Sequence, residues 1–226
     1  MKKYSKDGLV CFDPLYHTYY LGNKKLQSVT SYIGQYKNPF DSDRIATAFA
    51  KKHGLDKETV LLNWKLKSEL SCSIGTACHK VFEDYINTGE IILSGIHDKE
   101  LIAKRFIQEI FETKKLTPIE TEYIVYGDNL AGQLDCIVKN NKNEYFIIDW
   151  KTNDKIDKTS FAEIKMFPPY TYLQDCSYSH YSLQLSIYKQ LVKEYKIKDC
   201  YVVHINSRGY EFLKTPALEK EGVNCT

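Results

Sequence analysis

The 226-residue chain lacks several features that would place it in a specialised class of protein. No run of some twenty apolar residues is present, and Met1-Lys2-Lys3-Tyr4 is not followed by an apolar signal region. No membrane span or secretory leader is therefore predicted, and a cytoplasmic location is expected. No G-K-[ST] loop occurs either, so an ATPase working with this protein would be a separate chain. Internal repeats and low-complexity tracts are also missing.

The cysteines form no C-x-x-C pair. Their number, seven, is odd, and they are scattered along the chain at positions 11, 72, 78, 136, 176, 200 and 225. In a chain without a secretory signal this favours reduced thiols over a disulfide framework. The remaining composition, 43% hydrophobic and 27% charged, is ordinary for a globular protein with one substantial core.

Arginine is scarce, since only Arg44, Arg105 and Arg208 accompany the many lysines, and the net charge is +2. This balance neither demands nor excludes nucleic acid. Lysine makes salt-sensitive contacts to phosphates and not the bidentate contacts that read bases. If the protein binds DNA, weak sequence preference is expected, and some of the 18 tyrosines offer surfaces on which unpaired bases stack.

The stretch from Glu120 to Thr152 is predicted to form two or three adjacent strands, marked by apolar and β-branched residues. A cluster rich in asparagine between the last two strands is typical of a turn. If these strands pair as a hairpin, Asp135 and Asp149 come close together. Because side chains alternate along a strand, Asp149 and Lys151 share one face and the intervening tryptophan points the other way.

Two carboxylates and a lysine at this spacing suit metal-dependent phosphodiester hydrolysis. Oxygen ligands fit a hard cation such as Mg²⁺, which acidifies a bound water and neutralises charge on the phosphate. A neighbouring lysine orients the nucleophile or stabilises the transition state. A surface hairpin with scattered charges is the simpler alternative. However, Ile147, Ile148 and Trp150 are typical of a core strand, where charges are costly unless they serve a site.

Gly132-Gln133-Leu134-Asp135, followed by Ile148-Asp149-Trp150-Lys151-Thr152, resembles the PD-(D/E)xK nuclease superfamily in its RecB-like branch. Upstream, Gly75-Thr76-x-x-His79-x-x-x-Glu83 is similar to the first helix motif of that branch. Downstream, Gln184-x-x-x-Tyr188 is similar to its second helix motif. The D-W-K-T sequence with S-x-Q-L-x-x-Y is most similar to mitochondrial genome maintenance exonuclease and its phage-encoded relatives.

The resemblance extends over roughly residues 75 to 207, with a looser H-x-Y-Y…S-V-T pattern between His17 and Thr30. Some RecB-like nucleases carry a four-cysteine iron–sulfur cluster, with closely spaced cysteines after the last core strand. Only Cys225 lies beyond Cys200 in this chain, so no iron–sulfur cluster is expected.

The resemblance implies a set of site residues carried by two helices and the hairpin. The implied ligands of Mg²⁺ or Mn²⁺ are His79, Glu83, Asp135, Asp149 and the main-chain carbonyl of Trp150. The implied catalytic residues are Asp135, Asp149, Lys151 and Gln184, and the substrate-side candidates are Glu122, Thr152 and Tyr188. Lys151 would assist the attacking water, Gln184 would position the lysine or the phosphate, and Tyr188 would contact the DNA backbone. For Glu122, a solvated carboxylate at a strand end is an equally good interpretation.

The predicted fold is α/β, with a restriction-endonuclease-like core whose central mixed sheet is flanked by helices at 75–88 and 180–195. Three regions are predicted: a mostly helical annex over 1–74, the nuclease core over 75–215 and a polar tail over 216–226. The other predicted elements are a short strand within 9–21, helices near 43–53, 56–71 and 98–115, and a strand at Cys200–Asn206.

The predicted function is a metal-dependent DNA nuclease, and the resemblance favours an exonuclease that prefers single strands in DNA replication, repair or recombination. The expected partner is DNA with free ends or unpaired strands, together with replication or recombination proteins. An endonuclease on the same core is one alternative, and a non-catalytic DNA-binding or interaction module is another. A third is a subunit that works only within a recombination or replication complex. Degenerate relatives usually lose an acidic, lysine or histidine position, and all of these are present here.

Overall fold

The computed structural model describes residues 2–127 and 129–218, which contain a nine-stranded mixed sheet. Its strands are β1 (Lys3–Tyr4), β2 (Val10–Asp13), β3 (Thr18–Leu21), β4 (Lys24–Ser28), β5 (Leu116–Tyr126), β6 (Leu130–Asn140), β7 (Tyr145–Lys151), β8 (Ile197–Asn206) and β9 (Gly209–Lys214). The order across the sheet is β1-β2-β3-β4-β6-β7-β8-β9, with β5 paired to β6. The pairs β4–β6 and β7–β8 are parallel and the others antiparallel. The predicted α/β class with a central mixed sheet is confirmed.

Sequence signals set the ends of the helices. The α-helices are α1 (Val29–Gly34), α2 (Ser42–His53), α3 (Lys57–Thr88), α4 (Lys99–Phe106) and α5 (Ser177–Leu191). Ser28, Asp41 and Asp56 cap the first three, each accepting a hydrogen bond from the N–H three residues later. Gly54 and Gly89 adopt left-handed conformations that end α2 and α3, a backbone that glycine adopts without steric cost.

Helix α3 corrects one prediction. The sequence suggested separate helices at 56–71 and 75–88, but one helix of 32 residues covers both. Gly75 lies within it, and a Cβ there would make an ordinary van der Waals contact, 3.4 Å, with Thr152 Oγ1 just after β7. The suggested boundary between residues 74 and 75 falls inside this continuous helix.

Two further predictions were wrong in detail. The single short strand expected within 9–21 is instead part of an antiparallel run, β1 to β4, which joins the central sheet where β4 pairs with β6. Val10 and Phe12 are both buried, which is the period-two signal of such a strand. The helix expected at 98–115 is shorter, since α4 ends at Phe106 and a π-helical turn leads to Phe111 ahead of β5.

Apolar layers cover the sheet on both faces. One layer joins the sheet to α1 and α5, and the other joins it to α3 and α4. Trp150 belongs to the second layer, where it is 1% exposed and its ring stacks on Phe82 with centroids 3.9 Å apart. The ammonium of Lys151 lies instead over the ring of Tyr181 on α5. The predicted alternation of Trp150 against its charged neighbours is therefore confirmed.

The cysteines among the described residues are free thiols, and Cys225 lies outside those residues.

None of the described helices combines the length and apolar character that crossing a bilayer requires. Of the predicted tail, residues 219–226 lie outside the described part, and the N–H of Leu218 donates to Ser186 Oγ at 3.1 Å.

Candidate metal centre

The candidate site lies where β6 and β7 separate. Their antiparallel pairing stops at Cys136 and Ile148, so Asp135 and Asp149 are the first residues beyond it. Farther toward the start of β6, strand β4 becomes its partner in place of β7. The predicted hairpin is thus confirmed, and the gap at its open end brings the two carboxylates near each other.

In this gap, the side chain of Asp135 accepts a hydrogen bond from a main-chain N–H of β7. Its Oδ2 accepts a hydrogen bond of 2.7 Å from the N–H of Trp150. Burial and the nearby charge of Asp149 raise the pKa of Asp135 to about 8. In this environment the ionised form of the carboxyl group is destabilised unless a nearby cation compensates its charge.

Three possible metal-ligating groups converge beside Asp135. A ring nitrogen of His79 and carboxylate oxygens of Glu122 and Asp135 all lie within 4.8 Å of one another. His79 Nε2 is also 3.2 Å from the carbonyl oxygen of Trp150. Burial and the positive charge of Lys151 lower the pKa of His79, which favours the neutral imidazole that binds metals. The site therefore draws one residue each from α3, β5 and β6.

Glu122, which belongs to this group, has an unusual backbone conformation. Its φ is +50°, a left-handed conformation that is rare for a residue with a side chain and costs about 1–2 kcal/mol. The side-chain amide of Gln133 donates to its carbonyl oxygen at 2.9 Å. Burial and the charge of Asp135 raise the pKa of the Glu122 carboxyl. The structure thus places this substrate-side candidate among the possible metal ligands.

The donor set fits a hard divalent cation. It contains two carboxylates, one imidazole and an adjacent main-chain carbonyl, a combination that Mg²⁺ and Mn²⁺ accept. The raised pKa values of Asp135 and Glu122 show that negative charge is crowded in a buried place. A bound cation would relieve that crowding.

Asp149 and Lys151 form an ion pair next to this group. Asp149 is 2% exposed, and its Oδ2 contacts the ammonium of Lys151. Burial alone would lower the pKa of Lys151, but the charges of Asp149 and Asp135 outweigh burial and raise it. The ammonium also lies 5.0 Å from the centre of the Tyr181 ring. Lys151 therefore carries a positive charge beside these two carboxylates in the metal-free fold.

Glu83 is near the centre without being one of the converging groups. Its carboxylate lies 3.5 Å from the ammonium of Lys3 and 3.9 Å from that of Lys80. Lys3 is also 3.6 Å from Glu122, so a residue of β1 links the two glutamates. The role of Glu83 as a metal ligand or neighbour stays a prediction.

Gln184 and Tyr188 lie one turn apart on α5, as predicted. The Gln184 amide donates to the Tyr188 hydroxyl at 3.1 Å, and Tyr188 is only 3% exposed. Its ring covers Gly132, where a Cβ would lie 2.4 Å from Tyr188 Cε1. These contacts favour a packing role for Tyr188, in which glycine on β6 lets α5 approach the sheet. The DNA contact that the resemblance implied for Tyr188 stays a prediction.

Gly132→Ala is expected to lower the free energy of unfolding by about 1–3 kcal/mol, because the new methyl overlaps a buried ring. Urea unfolding followed by circular dichroism measures this change. Gly34→Ala is the matched control, since a Cβ at Gly34 meets nothing within 4 Å. Equal unfolding midpoints for Gly132→Ala and the parent protein would contradict this account of the packing.

Lys99 is a residue near the site that sequence reasoning missed. It is 6% exposed, and its ammonium donates to the carbonyl oxygen of Thr152 at 2.7 Å, just after the candidate catalytic lysine. No local pattern distinguishes a lysine that becomes buried through tertiary contacts. This hydrogen bond fastens the residue that follows β7 to α4.

The loop between β7 and α5 is largely exposed, although one of its tyrosines is buried. Tyr170 is 1% exposed, and its hydroxyl is 3.1 Å from that of Tyr32. Tyr172 is 51% exposed and Phe161 is 91% exposed. These two rings offer accessible aromatic surface beside β7.

Comparison with known proteins agrees with this geometry. The family model of the PD-(D/E)XK nuclease superfamily matches residues 93–204. The matched segment contains Glu122, Asp135, Asp149 and Lys151, whereas His79 precedes it. The comparison with curated proteins gave no match.

Solved structures give a weaker likeness. Sixteen chains match, among them the crystal structure of SSO0001, which has 14% sequence identity and a TM-score of 0.33. The similarity covers 88% of this chain and 72% of that chain. At that TM-score it supports no inference about this protein.

Proposed function

We propose that this chain, which carries a PD-(D/E)XK nuclease superfamily domain over residues 93–204, is a Mg²⁺- or Mn²⁺-dependent deoxyribonuclease. Within that class we propose an exonuclease of the RecB-like branch that prefers single-stranded DNA and serves replication, repair or recombination. The observation that carries the nuclease proposal is the convergence of His79, Glu122 and Asp135 beside the Asp149–Lys151 pair. Strand preference and the exonuclease mode rest on the sequence resemblance.

His79, Asp135 and Asp149 would hold the cation together with the carbonyl of Trp150, and Glu122 is added to this set because of its position. Glu83 is proposed near a second ion. A cation bound there supplies an acidified water and neutralises charge on the phosphate.

Lys151 is proposed to orient the attacking water or to stabilise the charge that develops on the phosphate. Its pKa is raised by Asp149 and Asp135, so the side chain carries its proton at neutral pH. In the metal-free fold this charge suits it to donate hydrogen bonds to the water or the phosphate. Gln184 is proposed to help position the lysine or the phosphate, as the resemblance implies.

A non-catalytic DNA-binding module is the alternative from another class. The ionisable groups of the site are all present, and the pKa values of Asp135 and Glu122 are raised by burial and by neighbouring carboxylates. A module that only binds DNA gains nothing from partly buried carboxylates held close together. This favours catalysis, and an endonuclease on the same core is the remaining enzymatic alternative.

The test is to incubate the full chain with end-labelled single-stranded DNA, double-stranded DNA and RNA, with and without Mg²⁺ or Mn²⁺. Single-stranded DNA is expected to disappear fastest, with mononucleotides or short oligonucleotides released from an end, and chelation should stop the reaction. Equal products with and without metal would overturn the metal-dependent proposal. Internal fragments from the first time points would favour the endonuclease.

A further inference from the structure

A second cleft lies beside the candidate metal centre, at the edge of the sheet where β7 and β8 end. The two strands are parallel, with Lys151 opposite His204, so these residues are one strand spacing apart, about 5 Å. The cleft has a volume of about 520 Å³ and is lined by residues 154–156 after β7, by the turn between β8 and β9, and by Arg105 of α4. It is therefore adjacent to the proposed reaction site.

The acidic side chains of this cleft already have partners. Asp154 lies 3.5 Å from the ammonium of Lys99 and 3.6 Å from that of Lys67. Glu211 lies 3.1 Å from His204 Nδ1, and the other ring nitrogen of His204 is 2.7 Å from the carbonyl oxygen of Asn153. The charge of Asp154 is therefore compensated by two lysines, and Glu211 is engaged by the His204 ring.

The cleft gathers two of the three arginines of the chain. The Arg105 guanidinium lies 5.6 Å from the centre of the Tyr210 ring and 3.8 Å from Glu109. It also fills the space beside Gly209, where a Cβ would lie 2.5 Å from Nη2. The φ of Gly209 is +147°, so the backbone favours glycine there. Arg105 is positioned by its contacts with Tyr210 and Glu109, and Arg208 lies in the exposed turn beside it.

We propose that this cleft binds backbone phosphates of the nucleic acid strand whose reacting phosphate lies at the candidate metal centre. The inference rests on the proposed function and adds a second contact to the same strand. Guanidinium groups match phosphate oxygens in shape and charge and bind them with paired hydrogen bonds. A pre-positioned arginine loses less side-chain entropy on binding than a free one. Lys155 also lines the cleft, but its ammonium already lies 2.9 Å from Asp157, so the two arginines carry the proposal.

Binding without cleavage tests this proposal. Fluorescence anisotropy with a labelled single-stranded oligonucleotide in EDTA, over a series of salt concentrations, compares the full-length parent protein with Arg208→Gln and with the Arg105→Gln/Arg208→Gln double variant. Lys142→Gln, in the turn between β6 and β7 at the opposite end of these strands, removes a positive charge elsewhere as a control. Circular dichroism checks that each variant is folded, and Arg208→Gln alone keeps the test valid if Arg105→Gln unfolds.

Arg208→Gln is expected to weaken binding about three- to tenfold at low salt and to reduce the slope of log affinity against log salt by about 0.7. The double variant should show a larger loss of affinity and a larger reduction of the salt slope. Lys142→Gln should behave as the parent protein. If the parent protein cleaves DNA but the variants bind with its affinity and slope, the cleft proposal fails and the nuclease stands. If the variants lose affinity but the parent protein never cleaves with metal, the nuclease proposal fails instead. Failure of the parent protein to bind the strand overturns the cleft proposal.

Discussion

Cleavage of linear single-stranded DNA is expected to fall about a thousandfold or more in Asp135→Asn. The replacement removes one charged ligand from the group formed with His79 and Glu122, while an amide oxygen can still accept the hydrogen bond from the Trp150 N–H. Asp135→Asn is expected to lose both cleavage and metal affinity. A gel assay with Mg²⁺ measures the cleavage rate, and calorimetric titration with Mn²⁺ measures the affinity for the metal.

The control is Glu144→Gln, which removes a carboxylate from the far end of the same hairpin, where it pairs with Lys198. This exposed pair contributes little to stability, so the control should cleave and bind metal normally. Robust cleavage by Asp135→Asn at saturating Mg²⁺ would eliminate Asp135 as an essential ligand.

The melting temperature of Asp135→Asn shows whether its loss of activity comes from unfolding. The pKa of Asp135 is raised from its ordinary value to about 8 in the fold, so the folded state binds this proton more tightly than the unfolded chain does. The charge of Asp135 therefore destabilises the metal-free fold progressively as the pH rises from about 4 to about 8. Asp135→Asn is expected to melt at the same or a higher temperature than the parent protein at pH 8 without metal, with less difference at pH 5. Added Mg²⁺ should stabilise only the parent protein.

Closed circular single-stranded DNA is expected to persist under conditions in which the same molecule, once linearised, is consumed. Residues of the N-terminal segment lie beside the candidate centre. Lys3 of β1 contacts Glu83 and Glu122, and Lys67 of α3 contacts Asp154 after β7. We expect this segment to restrict access to the site, so that a free strand end enters more readily than a continuous strand.

Circular and linear forms of one sequence, mixed in equal amounts and sampled together, provide the comparison. Because both share sequence and metal, any difference in decay reports the requirement for an end. Rapid nicking of the circle would refute end-dependence and promote the endonuclease alternative, and it would leave the role of Asp135 and Lys151 untouched.

Much of the site follows from local patterns. Alternation along β7 predicts that Asp149 and Lys151 share a face opposite Trp150, and the turn-forming residues before β7 predict the hairpin that brings Asp135 near Asp149. These inferences succeed because strand periodicity and turn chemistry depend on neighbours in the sequence. The caps of α1, α2 and α3 are equally local, since a side chain there bonds a main-chain N–H three residues away.

Helix continuity was harder to predict. Residues 71–76 include serine, cysteine, glycine and threonine, which have weak intrinsic helix preference, so the sequence suggested two helices. Packing of α3 along the sheet overrides that preference. Gly75 lies next to Thr152, a contact between residues far apart in the chain.

The sequence by itself determined the mixed α/β class, the hairpin with its two aspartates and lysine, and the placement of His79 on a helix. All of these arise from short-range periodicity. Only the tertiary structure decided that Glu122 joins His79 and Asp135, because that requires a left-handed residue within a strand. Likewise, the burial of Lys99 against Thr152 and the contact of Lys3 with Glu122 depend on chain segments that meet only after folding. Charge and burial at such meeting points are set by distant neighbours, and local sequence does not encode them.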